Sequence, residues 1–196
     1  MRVLGAILLA VVCGPALAGP LLKTPPLKSI GPAHPTAAAA AFSQSRPADC
    51  AVDPTEPTII HLTPAKLETL RLVSREVNHT IKPVSDQDHW GVVDRWDFPD
   101  DGRGDCEDYQ LLKRRRLEAL GFPRRAMRMA VVLDEDRNGH AVLVVRTDYG
   151  DLILDNKTDV VVPWKLTGYE FVKGEAATTG AWETYAPPKP PTTSSQ

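Results

Sequence analysis

The chain has 196 residues, 42% hydrophobic and 24% charged, enough apolar side chains for one soluble domain and a small appendage. Its 23 basic and 25 acidic residues leave a formal charge of −2, which argues against a nucleic-acid binder held by bulk charge and against a polybasic membrane-surface protein. The 18 prolines lie mostly before residue 65 and after Ala186, so the compact domain is expected to be shorter than the chain.

At the N-terminus, Met1-Arg2 precedes the apolar run Val3–Val12, Gly14-Pro15 breaks it, and Ala16-Leu17-Ala18 forms an A-x-A pattern. The run is about half the length a bilayer span needs. This predicts a secretory signal peptide over residues 1–18, with Cys13 lost on processing. No other apolar run approaches ~20 residues, so the mature chain is expected to be periplasmic or secreted, with no membrane insertion. Residues 19–57 are rich in Pro, Ala and Ser and predict a flexible arm, with at most a weak helix around Ala37–Phe42. Residues 186–196 have the composition of a disordered tail. The domain is expected over residues 58–185.

Within it, Thr63 as N-cap and Pro64 in the first turn predict a helix to His79, with Leu67, Leu70, Val73 and Val77 as its buried stripe. A loop with Pro83, Trp90, Trp96 and Pro99 follows. A second helix is predicted from Asp105 to Leu120, its inner face carrying Tyr109, Leu112, Leu117 and Leu120. Gly121 ends it in the left-handed capping position and Pro123 blocks continuation. The run Lys113-Arg114-Arg115-Arg116 suits the negative end of the helix dipole and is expected to be mostly a solvated face. Strands follow at Ala126–Leu133, His140–Arg146, Asp151–Leu154 and Val160–Val162, separated by the turns Asp134–Gly139 and Thr147–Gly150. Two helices and then a meander make an α+β domain, a helix-borne cysteine packed on an antiparallel sheet.

Cys106 stands in the first turn of the second helix, where backbone N–H groups and the dipole favour a thiolate, the nucleophilic form. His140 opens a strand, and Asp155 ends its hairpin partner. With a four-residue turn Thr147–Gly150 pairing Arg146 with Asp151, Asp155 falls opposite Val142 and His140 is its diagonal neighbour, roughly 7–8 Å away. A two-residue turn is expected to move Asp155 opposite Val144 and break the pair. A carboxylate that orients a histidine beside a cysteine is the triad arrangement.

The stretches Ser85-Asp86-Gln87-Asp88-His89-Trp90-Gly91, Gly104-Asp105-Cys106-Glu107-Asp108-Tyr109, Gly139-His140-Ala141-Val142-Leu143 and Leu154-Asp155-Asn156 resemble, in this order, the bacterial transglutaminase-like cysteine proteinases. The resemblance runs from about Ile59 to Trp182. It implies a papain-like, transglutaminase-type core with Cys106 as nucleophile, His140 as base and Asp155 as orienting acid. It implies Ca2+ held by Asp105, Glu107 and Asp108, and a large surface adhesin as substrate. An inner-membrane receptor for a cyclic dinucleotide that sequesters the protease is implied too. Trp96 resembles a tryptophan used at that receptor; its other reading is a buried loop aromatic.

Six acids, Asp97, Asp100, Asp101, Asp105, Glu107 and Asp108, fall within 12 residues. Such a cluster is either a solvated helix start or a seat for a hard cation such as calcium, which takes six to eight oxygen ligands. Asp134–Gly139 begins like a calcium-binding EF-hand loop, but Val145 stands where the bidentate Glu belongs, so a polar turn is expected. Arg103-Gly104-Asp105 and the glycosylation patterns at Asn78 and Asn156 carry no weight by themselves.

Three functions remain open from the residues. The leading one is an exported cysteine endopeptidase acting through a thioester acyl-enzyme, the Cys106 N–H giving half an oxyanion hole; Asn78, Gln87 and Trp90 are candidates for the second donor. The same intermediate can pass to an amine, as in a transglutaminase. The third is a non-catalytic calcium-dependent binding module with Cys106 tied to Cys50, although Cys50 is expected to be free.

Overall fold

The computed structural model describes residues 21–185. The expected signal peptide and tail lie outside the described residues. No helix among the described residues is long and apolar enough to cross a membrane.

The frame is a seven-stranded antiparallel sheet in the order β1-β9-β8-β4-β5-β6-β7. Its strands are β1 (Ser29–Ala33), β4 (Met127–Leu133), β5 (Gly139–Thr147), β6 (Gly150–Leu154), β7 (Val162–Pro163), β8 (Glu170–Glu175) and β9 (Trp182–Tyr185). A small parallel pair joins β2 (Lys82–Pro83) to β3 (Arg103–Gly104). The helices are α1 (Ala37–Ser45), α2 (Pro47–Cys50), α3 (Pro64–Thr80), α4 (Asp86–Trp90) and α5 (Cys106–Ala119).

Strand side chains alternate between two apolar layers, as the period of two requires. Met127 and Met129 of β4, Leu143 and Val145 of β5, and Leu152 and Leu154 of β6 face α3 and α5. Ala130, Val132, Val142, Val144 and Ile153 face away, covered by Leu27, Phe171, Tyr185, Trp164 and Tyr169. Burial on both faces explains why these strands read as continuous apolar runs.

The predicted α3 is present, with the Thr63 hydroxyl accepting from the Lys66 N–H at 3.2 Å and Leu70, Val73 and Val77 buried. α5 follows too, and Gly121 caps it with φ +83°. Four expectations are corrected. First, residues expected as a flexible arm are built into the fold. β1 pairs with β9, and α1 buries Ala38, Ala39 and Phe42, with the Thr36 hydroxyl accepting from the Ala39 N–H at 3.1 Å. The Leu27 N–H donates to Asp151 at 2.6 Å, so the segment's backbone is paired, which composition cannot show. Second, the basic run on α5 is not all solvated: Lys113 and Arg114 are buried, because α5 lies between the sheet and α3 and each charged head meets a partner. Third, Leu120 is exposed, since α5 ends before it. Fourth, β8 and β9 lie beyond the expected meander, and β8 sits between β4 and β9 rather than at an edge.

The β5–β6 turn contains only Asp148 and Tyr149, with Thr147 already paired to Gly150. Arg146 nevertheless pairs with Asp151 and Leu143 with Leu154. The tight turn therefore keeps the register that was expected to need four residues. Asp134–Gly139 is a polar turn closed by the Asp134 N–H to Asn138 carbonyl bond at 3.0 Å, with Lys157 bonded to the Asp134 carboxylate at 2.6 Å.

Candidate active site

The start of α5 and the start of β5 meet around one open pocket of about 330 Å³, and the end of β6 lies behind His140. Cys106, His140, Glu107, Asp105 and Ala141 line it, with Thr36 from the N-cap of α1 and Asp94 from the loop after α4. Both cysteines of the described residues, Cys50 and Cys106, are free.

His140 and Asp155 are buried and bonded, Nε2 to Oδ1 at 2.8 Å. Four further contacts fix Asp155. Its Oδ2 accepts from the Tyr169 hydroxyl at 2.7 Å and its Oδ1 from the Lys157 N–H at 3.1 Å. Its backbone carbonyl accepts from Lys113 Nζ at 2.8 Å and from Asn78 Nδ2 at 3.0 Å, so α5 and α3 both hold the end of β6. Burial alone would raise the Asp155 carboxyl, but the bonds to His140 and Tyr169 hold it below the usual carboxylate range. Burial pushes the Lys113 ammonium down to about 7, against the pull of Asp155 and Asp159.

The nucleophile candidate sits in a different field. Cys106 Sγ donates to Glu107 Oε2 at 3.1 Å. Burial, and then the Glu107 carboxylate, push the thiol well above its ordinary value, with the Ala141 backbone N–H pulling the other way. The helix-start preference for a thiolate is therefore outweighed by burial and adjacent acids.

Those acids converge with two that sequence reasoning missed. Carboxylate oxygens of Asp86, Asp105 and Asp108 lie within 4.8 Å of one another, as do those of Asp86, Asp94 and Glu107. Burial and Asp105 push Glu107 up to about 10, and burial is the main cause that raises Asp108 to about 8. Burial also raises Asp86 and Asp105. Asp105 Oδ1 is buried with no hydrogen-bond partner. The other acids of the run are matched: Asp97 by Arg46 at 2.8 Å and Arg95 at 3.0 Å, Asp100 by Arg115 at 2.8 Å, and Asp101 by His89 at 2.9 Å. Asp86 could have been found, since it lies in the first stretch that carries the family resemblance; Asp94 carries no such signal.

The remaining residues fall elsewhere. Trp96 is buried against Trp182, ring centroids 5.9 Å apart, so the exposed tryptophan nearby is Trp90. Asn78 Nδ2 is taken up by the Asp155 and Thr158 carbonyls and the Asp159 carboxylate, which removes it as an oxyanion donor. Gln87 and Trp90, on α4, do not line the Cys106 pocket.

A cysteine at a helix start, sharing a pocket with a histidine–aspartate pair on an antiparallel sheet, is the arrangement of the papain-like and transglutaminase-like thiol folds. The chain belongs to the bacterial transglutaminase-like cysteine proteinases (BTLCP), whose family model matches residues 30–189. Among solved structures it is similar to calcium-bound LapG of Legionella pneumophila, at 24% identity over 58% of this chain and 66% of that one, with a TM-score of 0.50. The EGTA-treated LapG gives 25% identity over 58% of this chain and 64% of that one, with a TM-score of 0.49. The chain thus spans under two thirds of that relative's length. No curated protein sequence matches it.

Proposed function

We propose that this protein is an exported cysteine endopeptidase in which Cys106, His140 and Asp155 act together. The observation that carries the reading is the buried 2.8 Å bond between His140 and Asp155 in the register that brings His140 to the Cys106 pocket. His140 takes the thiol proton, and Cys106 Sγ attacks the scissile carbonyl carbon. The tetrahedral intermediate collapses to a thioester as His140 returns the proton to the leaving amine. Water, deprotonated by His140, then releases the new carboxylate and the thiol. Asp155 fixes the imidazole tautomer and stabilises the imidazolium, and the Cys106 N–H is one donor to the oxyanion.

The acidic collar fits a calcium ion. Its carboxylates lie close together, burial opposes their charge, and the Asp105 Oδ1 acceptor lacks a partner. Asp105, Glu107 and Asp108, with Asp86 joining them, are the residues that would hold it; calcium is a known ligand of LapG, which was solved calcium-bound. Bound there, the cation would cancel the negative field that opposes the Cys106 thiolate. For a periplasmic enzyme of this family, a surface adhesin is the proposed substrate, and an inner-membrane receptor that sequesters the enzyme is the proposed partner.

The test is cleavage of a proteome-derived peptide library, read by mass spectrometry, with added calcium. New peptide termini made by the wild type and absent with Cys106→Ser support an endopeptidase. No new termini above the Cys106→Ser background would overturn it.

A further inference from the structure

Asp155 needs its carboxylate aimed at His140, yet the backbone contacts from Lys113 and Asn78 hold only its carbonyl. The side chain is set by the Lys157 N–H on Oδ1 and by the Tyr169 hydroxyl on Oδ2. Tyr169 comes from the segment just before β8, 14 residues beyond Asp155. Its ring also stands edge-on to the His140 imidazole, centroids 5.7 Å apart and planes at 79°. One side chain therefore touches both members of the pair. Behind it lies an open cavity of about 310 Å³, lined by Asp155, Tyr169, Lys157 and Val160 among others.

We propose that Tyr169 is a positioning residue of the active site: its hydroxyl locks the Asp155 carboxylate in the rotamer that serves His140, and its ring shields the His140–Asp155 bond from the outer cavity. The inference rests on the triad reading above. A phenol bonded to a carboxylate is pushed well above the ordinary tyrosine range, here by burial and then by Asp155, so Tyr169 stays a donor throughout the working pH range. Its hydroxyl draws off part of the negative charge that Asp155 offers the imidazolium. Removing the hydroxyl leaves that charge undiluted and lets the carboxylate rotate. The other titratable groups around the pair are Cys106, Asp105 and Glu107 at the start of α5 and Asp94 in the loop after α4, which share the His140 pocket, with Lys113 from α5, Lys157 beyond β6, and Asp134, Glu135 and Asp159 in the loops on the Asp155 side. Tyr169→Phe alters none of them.

The experiment compares wild type with Tyr169→Phe by NMR titration of 15N-labelled histidine, the His140 signal being assigned by its loss in His140→Ala. In Tyr169→Phe the His140 midpoint rises, and the imidazole proton shared with Asp155 exchanges faster with water. Global 3-fluorotyrosine, a stronger donor of nearly the same shape, moves the midpoint down; this arm keeps the test informative if Tyr169→Phe folds poorly. On the fastest-cleaved library peptide, kcat falls about tenfold with KM unchanged, the size expected for one hydrogen bond to a charged acceptor. A His140 midpoint unmoved by both changes overturns the proposal, whatever happens to kcat. The titration needs no substrate. A silent peptide library with a shifted midpoint would sink the peptidase reading and leave the Tyr169 role standing, and a cleaved library with an unmoved midpoint would do the reverse.

Discussion

The two halves of α5 treat buried charge in opposite ways. Toward its C-terminal half, Glu175 is buried but bonded to Arg114 at 2.7 Å and Arg124 at 3.0 Å, and it accepts from the Met129 N–H at 2.9 Å. Burial would raise its carboxyl, yet the two guanidinium groups hold it below the usual range. At the helix start, Glu107 and Asp108 are as deeply placed, have no basic partner among the described residues, and are pushed up to about 10 and about 8. The first cluster is complete within the chain and serves the fold. The second is left short of positive charge around the Cys106 thiol, a deficit that a bound cation would offset.

The contrast can be broken in several ways. The largest effect belongs to the thiol itself. Cys106→Ala is expected to lose activity by about a thousandfold or more while keeping its melting temperature, read by peptide cleavage and calorimetry. Next are single-carboxylate changes at the helix start. Asp105→Asn and Glu107→Gln should lower calcium affinity in isothermal titration and should raise the melting temperature of the calcium-free protein, because a neutral amide removes the cost of burying a carboxylate or of protonating it there. At the other end Glu175→Gln should do the opposite. It strands Arg114 and Arg124 and should cost about 3–5 kcal/mol in denaturant unfolding, with the calcium affinity unchanged.

A smaller effect separates the two clusters by pH. In calcium-free protein the folded-state values of Asp108 and Glu107 lie above their unfolded ones. Their contribution to stability is then whole below about pH 4 and is lost as pH rises through about 8 and on toward 10. The melting temperature of the chelated protein should fall across that window, and saturating calcium should flatten the fall. Glu175, whose value is lowered, adds stability that disappears only on acidification.

Much of the site was legible in the sequence because it rests on local signals. Thr63, Pro64 and Gly121 mark helix ends, and the turn between β5 and β6 sets the pairing that joins His140 to Asp155. What failed to show depends on contacts between distant segments. The Ala-rich α1 has weak intrinsic reason to stay ordered until Phe42 packs edge-on to Phe98 and β1 pairs with β9. Lys113 read as solvated because nothing local says that the Asp155 carbonyl awaits it. β8 was missed because Glu170, Lys173 and Gly174 dilute its apolar pattern, although Phe171 is buried. Asp94 and Tyr169 stand in irregular segments between α4 and β3 and before β8, where no periodic pattern marks them.

The central claim is that the helix-start acids suppress the Cys106 thiolate until a cation offsets them. Its most direct measurement is the pH dependence of Cys106 alkylation by iodoacetamide, read on the Cys106 peptide by mass spectrometry, with calcium and with chelator. The account predicts that calcium moves the midpoint down by about one pH unit or more, the equivalent of roughly 1.4 kcal/mol in favour of the thiolate. Coincident curves with and without calcium would contradict it.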